Sequence, residues 1–442
     1  MFEALKVRLH KNRHPARYQL LPALLQRQNL TQEELLQQQM QDRLNMVHFA
    51  RNHTLYYKNR YAGLLPEKLH DLDFKSLPIL SKNDIVNQRD AMLSDNSDKN
   101  NIRLGYTGGS TGKPLSFYYD THKMELMRAG MCRSYMWSGW RPGDKILNFW
   151  GAKQDLKTQN LKSYYTDYIA AEKTIAAWEY GETELYKWTQ YIKRYRPVLL
   201  QGYASILADV AGFIIENKIS MPKSLKGVYS TAEVLYDWQR EAMQVAFNCR
   251  VYNQYGCREI PNIGVECAHG NMHIFTDMVY LESVNIEHED KLVITSLTNF
   301  LMPMIRYENG DNGKLKEGQC GCGSAFPMME MGVCRSNDFI QTRSGKKIAP
   351  SYFNRLLDGL SEIQQYQFIQ TDLDSITLNI ESASKLDSDF LRGIQEKIVN
   401  DVDRDMCVEI KYVDKIKRST SGKHRFVICA ISCEKPQNSL EK

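Results

Sequence analysis

The order of apolar and polar positions divides the chain into three stretches. Residues 1–60 carry Leu, Gln and Arg at helical spacing ("LTQEELLQQQMQDRLNMVHFARNH"), which predicts helices. "SLPILSKNDI" (76–85) predicts a turn entering a helix, with Ser81 as its N-cap. From about 100 to 330 strands and helices alternate. "DKILNFWG" (144–151), "PVLLQGY" (197–203), "LKGVYSTAEV" (225–234) and "RVYNQYG" (250–256) are strand-like. Between them lie the helical patterns "TELYKWTQYIKRY", "ASILADVAGFIIENK" and "YDWQREAMQVAF". This rhythm predicts an α/β domain with a mostly parallel sheet and function at the carboxyl ends of its strands. "KLVITSLTN" (291–299) and "MPMIRYENGDNG" (302–313) read as strand–turn pairs of a β-rich subdomain. After "GVCRSND" (332–338) come a hairpin ("FIQTRSGKKIAP"), a helix, "YQFIQTD", "SITLNIESA", a helix over 386–400 and "VEIKYVD". That order predicts a small α+β C-terminal domain. The expected division is 1–334, with a helical region over 1–85, and 335–442.

Composition adds little beyond this. With 442 residues, 43% hydrophobic and 25% charged, the chain reads as a globular protein of two or three domains. A net charge of +5 makes no case for nucleic acid. No apolar run approaches the ~20 residues of a membrane helix. "MFEALKVRLHKNRHPARYQL" is basic but has neither a continuous apolar segment nor a small-residue cleavage site. It reads as an amphipathic helix of a cytoplasmic protein. Its basic residues could touch a membrane surface, but a solvated helix face is the simpler reading.

Of ten cysteines, Cys132, Cys249, Cys257, Cys334, Cys407 and Cys433 are scattered and read as reduced or buried thiols. Cys429 falls in an apolar strand-like run. The rest keep suggestive company: "ECAHGNMH" (266–273) holds Cys267, His269 and His273, and "CGCG" (320–323) holds Cys320 and Cys322. Two ligand pairs of this kind could complete a tetrahedral metal site, or they could be two unrelated turns.

"YTGGSTGKP" (106–114) raises the question of phosphate. It is not a Walker A loop, because Thr107 stands where that motif needs its first glycine and Pro114 where it needs Ser or Thr. The apolar and aromatic flank "PLSFYYD" predicts instead a loop joining two strands, either a lid over phosphates or a plain polar hairpin.

Five segments, taken in order, resemble the adenylate-forming (acyl-CoA synthetase-like) superfamily. The resemblance is greatest to its phenylacetate–CoA ligase-like branch, which includes proteins of capsule and surface-polysaccharide biosynthesis. It implies the architecture above and a set of roles. Thr107, Gly108, Gly109, Ser110, Thr111, Gly112 and Lys113 match the loop that holds the β- and γ-phosphates of ATP. "STAE" matches the adenine-contacting turn, giving Thr231, Ala232 and Glu233; a helix-start acid is the plainer reading of Glu233. In "YGCRE" Tyr255 would pack on adenine and Glu259 would hold magnesium. Arg258 replaces the family's hydroxyl residue, which touches the α-phosphate or the carboxylate, and could serve the same anion with more charge. Asp311 in "IRYENGD" would accept from the ribose hydroxyls. "CRSND" resembles the interdomain hinge, with Arg335 in the nucleotide-binding set, Asn337 at the usual aspartate and Cys334 at the usual glycine. "IKRSTSGKHR" matches the C-terminal signature and makes Lys423 the adenylation lysine. Close relatives also carry a Cys…His…Cys-x-Cys zinc site, which Cys267, His273, Cys320 and Cys322 match, with His269 the rival.

The implied reaction is ATP-dependent activation of a small carboxylic acid to an acyl-adenylate, then transfer to coenzyme A. Mg2+ and a structural Zn2+ are the implied metals, and a homodimer is compatible with the resemblance. One alternative ends on an amine or hydroxyl acceptor in surface-polysaccharide biosynthesis. Another is a non-catalytic nucleotide-binding scaffold, for which Arg258, Cys334 and Asn337 speak and against which Glu259, Asp311 and Lys423 speak. Tyr135, Trp137, Trp140, Phe149, Trp150 and Tyr203 could line an aromatic acid pocket, or simply pack in the core.

Overall fold

The structure is a computed structural model. It describes residues 2–66, 72–107, 115–150, 171–286, 289–331, 339–348, 350–357, 362–382, 384–416 and 426–431.

The N-terminal stretch is helical as predicted, over Phe2–Arg13, Pro15–Arg27, Gln32–His53 and Leu55–Arg60. The third helix starts in a capping box: the Thr31 hydroxyl accepts from the Glu34 N–H while the Glu34 carboxylate accepts from the Thr31 N–H. Leu35, Gln39, Met46, Val47 and Ala50 form its buried stripe. Ser81 caps the helix Lys82–Gln88 by the same device, with Asp84 as its partner.

The central feature is one eleven-stranded sheet in the order β11-β12-β13-β14-β10-β9-β8-β7-β6-β3-β4. Its parallel half consists of β3 (Ile146–Trp150), β4 (Glu172–Ala176), β6 (Leu199–Tyr203), β7 (Gly227–Thr231) and β8 (Arg250–Tyr255). The helices Glu182–Tyr195, Ala204–Glu216 and Asp237–Phe247 provide its crossovers. Two of these helices end on a left-handed residue, Arg196 (φ 50°) and Asn248 (φ 48°). At Arg196 the backbone N–H donates to the Ile192 carbonyl, and in both cases the left-handed step turns the chain directly into the next strand. Leu147, Phe149, Leu200, Val228, Ile206, Val210 and Met243 fill the core of this half.

The antiparallel half holds β9 (Gly264–Glu266), β10 (Met272–Ile274), β11 (Val279–Ile286), β12 (Glu289–Ser296), β13 (Tyr307–Lys316) and β14 (Met328–Met331). Here "ENGDNG", which reads as a turn, lies inside β13. Gly310 takes φ 86° and the β12–β13 register shifts between Lys291 and Val293. The glycine absorbs a bulge that a turn reading mistakes for the end of the strand.

The hairpin β1 (Arg103–Tyr106) and β2 (Ser116–Tyr119) pairs antiparallel and brackets residues 107–115, as predicted for the phosphate-loop segment. At the C-terminal end, β17 (Ile363–Asp372), β18 (Ser375–Ser382), β19 (Cys407–Tyr412) and β20 (Val427–Cys429) form a sheet in the order β19-β18-β17-β20. With the helices Pro350–Leu356 and Ser388–Asp401 it encloses its own core, including Phe353, Phe368, Leu378, Ile394 and Ile398. Between the two bodies lies a three-stranded sheet. In it β15 (Ile340–Gln341) and β16 (Lys347–Ile348) pair with each other, and β16 pairs with β5 (Glu179–Tyr180). The Lys347 ammonium reaches both Asp209 oxygens at 2.8 and 2.7 Å, and the Tyr180 hydroxyl donates to Asp209 at 2.7 Å. The hairpin expected in the C-terminal domain is therefore also stitched to the larger one. The expected boundary at 334/335 lies outside the described residues.

Candidate active site

The parallel strands end side by side, so the residues at their carboxyl ends share one crevice. Thr231 ends β7, Tyr255 ends β8, and Trp150 and Tyr203 end β3 and β6. Beyond Tyr255 the chain turns sharply. A Cβ on Gly256 would stand 3.0 Å from the Asn262 amide nitrogen and 3.3 Å from the Pro261 Cα, so backbone crowding requires glycine there. The turn delivers Glu259 into the interior, where it is only 4% exposed, and the Tyr307 hydroxyl donates to its Oε1 at 3.0 Å.

Strand alternation places Tyr307, Asn309 and Asp311 of β13 opposite this turn. Tyr255 donates its hydroxyl to Asp311 Oδ2 at 3.0 Å. The Asn309 amide donates to that same oxygen at 2.8 Å and to the Tyr255 hydroxyl at 2.9 Å. Tyr255 and Asp311, more than fifty residues apart, thus share one hydrogen-bonded group with Asn309, and Glu259 forms a second with Tyr307; β13 contributes to both. Tyr307 and Asn309 were not singled out from sequence. The signal was present, because both share the period-two face of Asp311.

Arg258 points towards the phosphate-loop hairpin. Its Nη1 donates to the Tyr106 carbonyl at 3.0 Å, one residue before the loop begins. Thr107 closes the base of the loop, its N–H donating to the Leu115 carbonyl at 2.8 Å and its hydroxyl accepting from the Leu115 N–H at 3.1 Å. Gly108, Gly109, Ser110, Thr111, Gly112 and Lys113 lie outside the described residues, as do Arg335, Asn337, Cys334 and Lys423.

Lys123, on the helix Thr121–Met136, is a further residue that the sequence did not reveal. It is 4% exposed, donates to the Glu259 carbonyl at 2.7 Å, and lies 4.8 Å from the Phe117 ring centre and 5.7 Å from that of Tyr119. Burial pushes its ammonium down to about 8, against the opposing pull of Cys257 and Glu259. The turn at 258–259 is thereby tied to both strands of the hairpin, through Arg258 to β1 and through Lys123 to β2.

Ala232 adopts φ 69°, and this left-handed step swings Glu233 towards the neighbouring helix. Its Oε2 accepts from the Ser205 N–H at 2.9 Å and the Ser205 hydroxyl at 2.6 Å. The carboxylate so caps the start of Ala204–Glu216, where the helix dipole favours negative charge. It fixes the Thr231–Glu233 turn over the crevice.

A second cluster sits on the antiparallel half. The ligand atoms of Cys267, His273, Cys320 and Cys322 all lie within 4.8 Å of one another. The β9–β10 turn supplies Cys267, β10 itself supplies His273, and the turn before β14 supplies the Cys-x-Cys pair. Cys267 and Cys320 place their sulfurs 3.6 Å apart, and Cys322 Sγ lies 3.3 Å from His273 Nε2. The other ring nitrogen, His273 Nδ1, is 2.8 Å from the Phe326 carbonyl, which orients the imidazole. The sulfurs accept N–H groups: Cys267 from His269 at 3.3 Å, Cys320 from the Asn271 amide at 3.2 Å, Cys322 from Ser324 at 3.4 Å. Burial disfavours the Cys320 thiolate, but the Cys322 backbone and Asn271 outweigh it and bring the thiol down to about 6. His273 is fully buried in the group, while His269 is exposed and contributes its backbone N–H. Three thiols and one imidazole so gathered could hold a metal ion.

The six aromatic residues do not form one pocket. Trp140 and Phe149 are buried core, and Tyr135 is buried with its hydroxyl on Gln201 at 2.5 Å. Trp137 sets its edge against His273, with ring centres 5.9 Å apart. Only Trp150 and Tyr203, 5.2 Å apart, stand at the strand ends facing the crevice.

Residues 340–430 match the family model described as the CapK C-terminal domain. Protein CapK of Staphylococcus aureus is 24% identical over 376 residues, covering 84% of this chain and 83% of that protein. Phenylacetate-coenzyme A ligase of Pseudomonas putida is 26% identical over 387 residues, covering 81% and 84%. Among solved structures, 2-hydroxyisobutyryl-CoA ligase in complex with 2-HIB-AMP and CoA superposes with a TM-score of 0.62 over 92% of each chain at 20% identity, a likeness of fold.

Proposed function

We infer that the chain, a member of the adenylate-forming ligase superfamily with phenylacetate–CoA ligase and CapK among its relatives, activates a small carboxylic acid as its acyl-adenylate and passes the acyl group to coenzyme A. The observation that carries the reading is the neighbourhood of Tyr255, Glu259 and Asp311, drawn together from β8, its following turn and β13 at the carboxyl ends of the parallel strands.

The reaction brings a carboxylate against an α-phosphate, so positioning and charge neutralisation must do most of the work. Asp311, oriented by Tyr255 and Asn309, is suited to accept from ribose hydroxyls. The Tyr255 ring provides a face for the base, beside the turn Thr231–Glu233 that Ser205 holds in place. Glu259 is a buried carboxylate held by Tyr307, the kind of oxygen donor that Mg2+ takes alongside phosphates. When bound, that ion would supply charge to the phosphate oxygens. Residues 107–113 would wrap the β- and γ-phosphates, and Lys423 would bring its ammonium to the reacting centre.

The metal cluster fits zinc. A tetrahedral ion with Zn–S of ~2.3 Å and Zn–N of ~2.0 Å implies S–S edges of roughly 3.8 Å and S–N edges of roughly 3.5 Å. One S–S and one S–N separation here are 3.6 and 3.3 Å, and all four ligand atoms lie within 4.8 Å of one another. Four protein ligands leave no open position, so the role is structural: it would pin the β9–β10 turn to the turn before β14.

A second reading replaces coenzyme A by an amine or a sugar hydroxyl. The chain is about as similar to protein CapK, which is not named as a coenzyme A ligase, as to phenylacetate-coenzyme A ligase, and its residues 340–430 match the CapK C-terminal domain. Single-turnover assays with isolated acyl-adenylate decide between them. Rapid consumption by coenzyme A alone supports the first; inertness to coenzyme A with turnover by amino or hydroxy sugars supports the second.

A further inference from the structure

The chain's charge is unevenly placed. Its first 27 residues hold six basic side chains (Lys6, Arg8, Lys11, Arg13, Arg17, Arg27) against Glu3 alone, a net +5 that equals the net charge of the whole chain. Three of the six turn inward and are neutralised: Lys6 pairs with Asp144 at 2.9 Å, Arg17 with Glu125 at 3.1 Å and Arg27 with Asp42 at 2.5 Å. Arg8, Lys11 and Arg13 are exposed and make no ion pair among the described residues.

The helix Phe2–Arg13 sets these charges among exposed leucines. Leu5, Arg8, Leu9, Asn12 and Arg13 fall at i, i+3, i+4, i+7 and i+8, so they share one face. Leu5 is 53% and Leu9 52% exposed, while His10 on the other side is buried. The face is not a loose appendage. The next helix, Pro15–Arg27, is clamped to Thr121–Met136 by the Arg17–Glu125 pair and by Arg133, whose Nη1 donates to the Leu24 carbonyl at 3.2 Å.

We propose that this face docks the protein onto an anionic lipid bilayer, with Arg8 and Arg13 over lipid phosphates and Leu5 and Leu9 inserted between headgroups. Charge alone would suit any polyanion. The leucines decide the class, because a bilayer interface rewards apolar side chains set among basic ones, whereas a nucleic-acid backbone gives them nothing. The inference stands apart from the adenylation reading: either can fail without the other.

Co-sedimentation of the full chain with vesicles tests it, using phosphatidylcholine alone and a mixture of phosphatidylcholine with phosphatidylglycerol. The expected result at physiological salt is binding to the mixed vesicles and none to the zwitterionic ones. Arg8→Gln with Arg13→Gln should weaken binding roughly thirtyfold, since each basic residue near an anionic surface contributes about a factor of five. Leu5→Ser with Leu9→Ser should weaken it by on the order of tenfold or more while leaving the melting temperature in place, because both side chains are exposed. Wild-type protein that ignores the mixed vesicles overturns the proposal. So does a leucine variant that binds as tightly as wild type, which would assign the face to a soluble polyanion instead.

Discussion

At Glu259 the outcome turns on one hydroxyl. Tyr307 donates to its Oε1, so Tyr307→Phe leaves a buried carboxylate short of a donor, at a cost of about 1–3 kcal/mol. Adenylation should fall roughly tenfold to a hundredfold, with a higher magnesium requirement and an intact fold; unchanged magnesium dependence would take Glu259 out of the metal role. Arg258 makes a second test. Sequence reasoning aims it at the reacting anions, whereas its Nη1 rests on the Tyr106 carbonyl at the mouth of the phosphate loop. Arg258→Thr is therefore expected to raise the KM for ATP by roughly tenfold, as for one lost charged hydrogen bond of ~1.5 kcal/mol, and the KM for the acid less. A rise confined to the acid would return the guanidinium to the acyl pocket. Lys123 gives a pH signature. Its folded pKa of about 8 lies below the ordinary 10.5. Below about 8 both states are protonated and the folded protein bears the full cost of a buried ammonium. Between the two values only the unfolded chain keeps the proton, so stability rises with pH. Relative to Lys123→Met, wild type should gain on the order of 3 kcal/mol in urea denaturation across that interval. A flat difference would mean that Lys123 titrates normally.

Elements were legible where periodicity is strong. The N-terminal helices, the Ser81 cap and the parallel strands β3, β6, β7 and β8 follow from spacing and turn residues, because each has one buried face and a clear terminator. β13 was misread because Asn-Gly steps signal turns locally, while the β12–β13–β14 pairing carries the chain straight through them. Of the residues that came from motifs, Tyr255 and Asp311 share a hydrogen bond, and Glu259 is held by Tyr307 of the same strand as Asp311. Lys123 and Ser205 were invisible because their roles exist only across elements: nothing near Lys123 in sequence points to a carbonyl 136 residues away. The aromatic residues near 140–150 could not be sorted into core and crevice without the sheet. At this scale the metal cluster gives the sharpest expectation. One zinc per chain should be found by elemental analysis. Cys320→Ser or chelation should unpin the two turns and lower the melting temperature by several degrees, with activity lost in proportion to folded protein. Protein without metal, or activity lost at full stability, would contradict a structural role.

The whole molecule has two bodies with separate cores, joined across β5 and β16. Lys423, assigned from its motif alone, should matter for one half-reaction. Lys423→Ala is expected to slow adenylate formation by on the order of a hundredfold or more and to spare acyl transfer from supplied adenylate, a split that stopped-flow of each half separates. Among the described residues no helix is long and apolar enough to cross a membrane. The central claim is acid activation at the Tyr255–Glu259–Asp311 crevice. Exchange of labelled pyrophosphate into ATP, run over a panel of carboxylic acids with wild type and Asp311→Ala, tests it most directly. The account predicts exchange that depends on one class of acid and on magnesium, and that falls by at least a hundredfold in the variant. Exchange with none of the acids, or exchange that Asp311→Ala leaves unchanged, would contradict it.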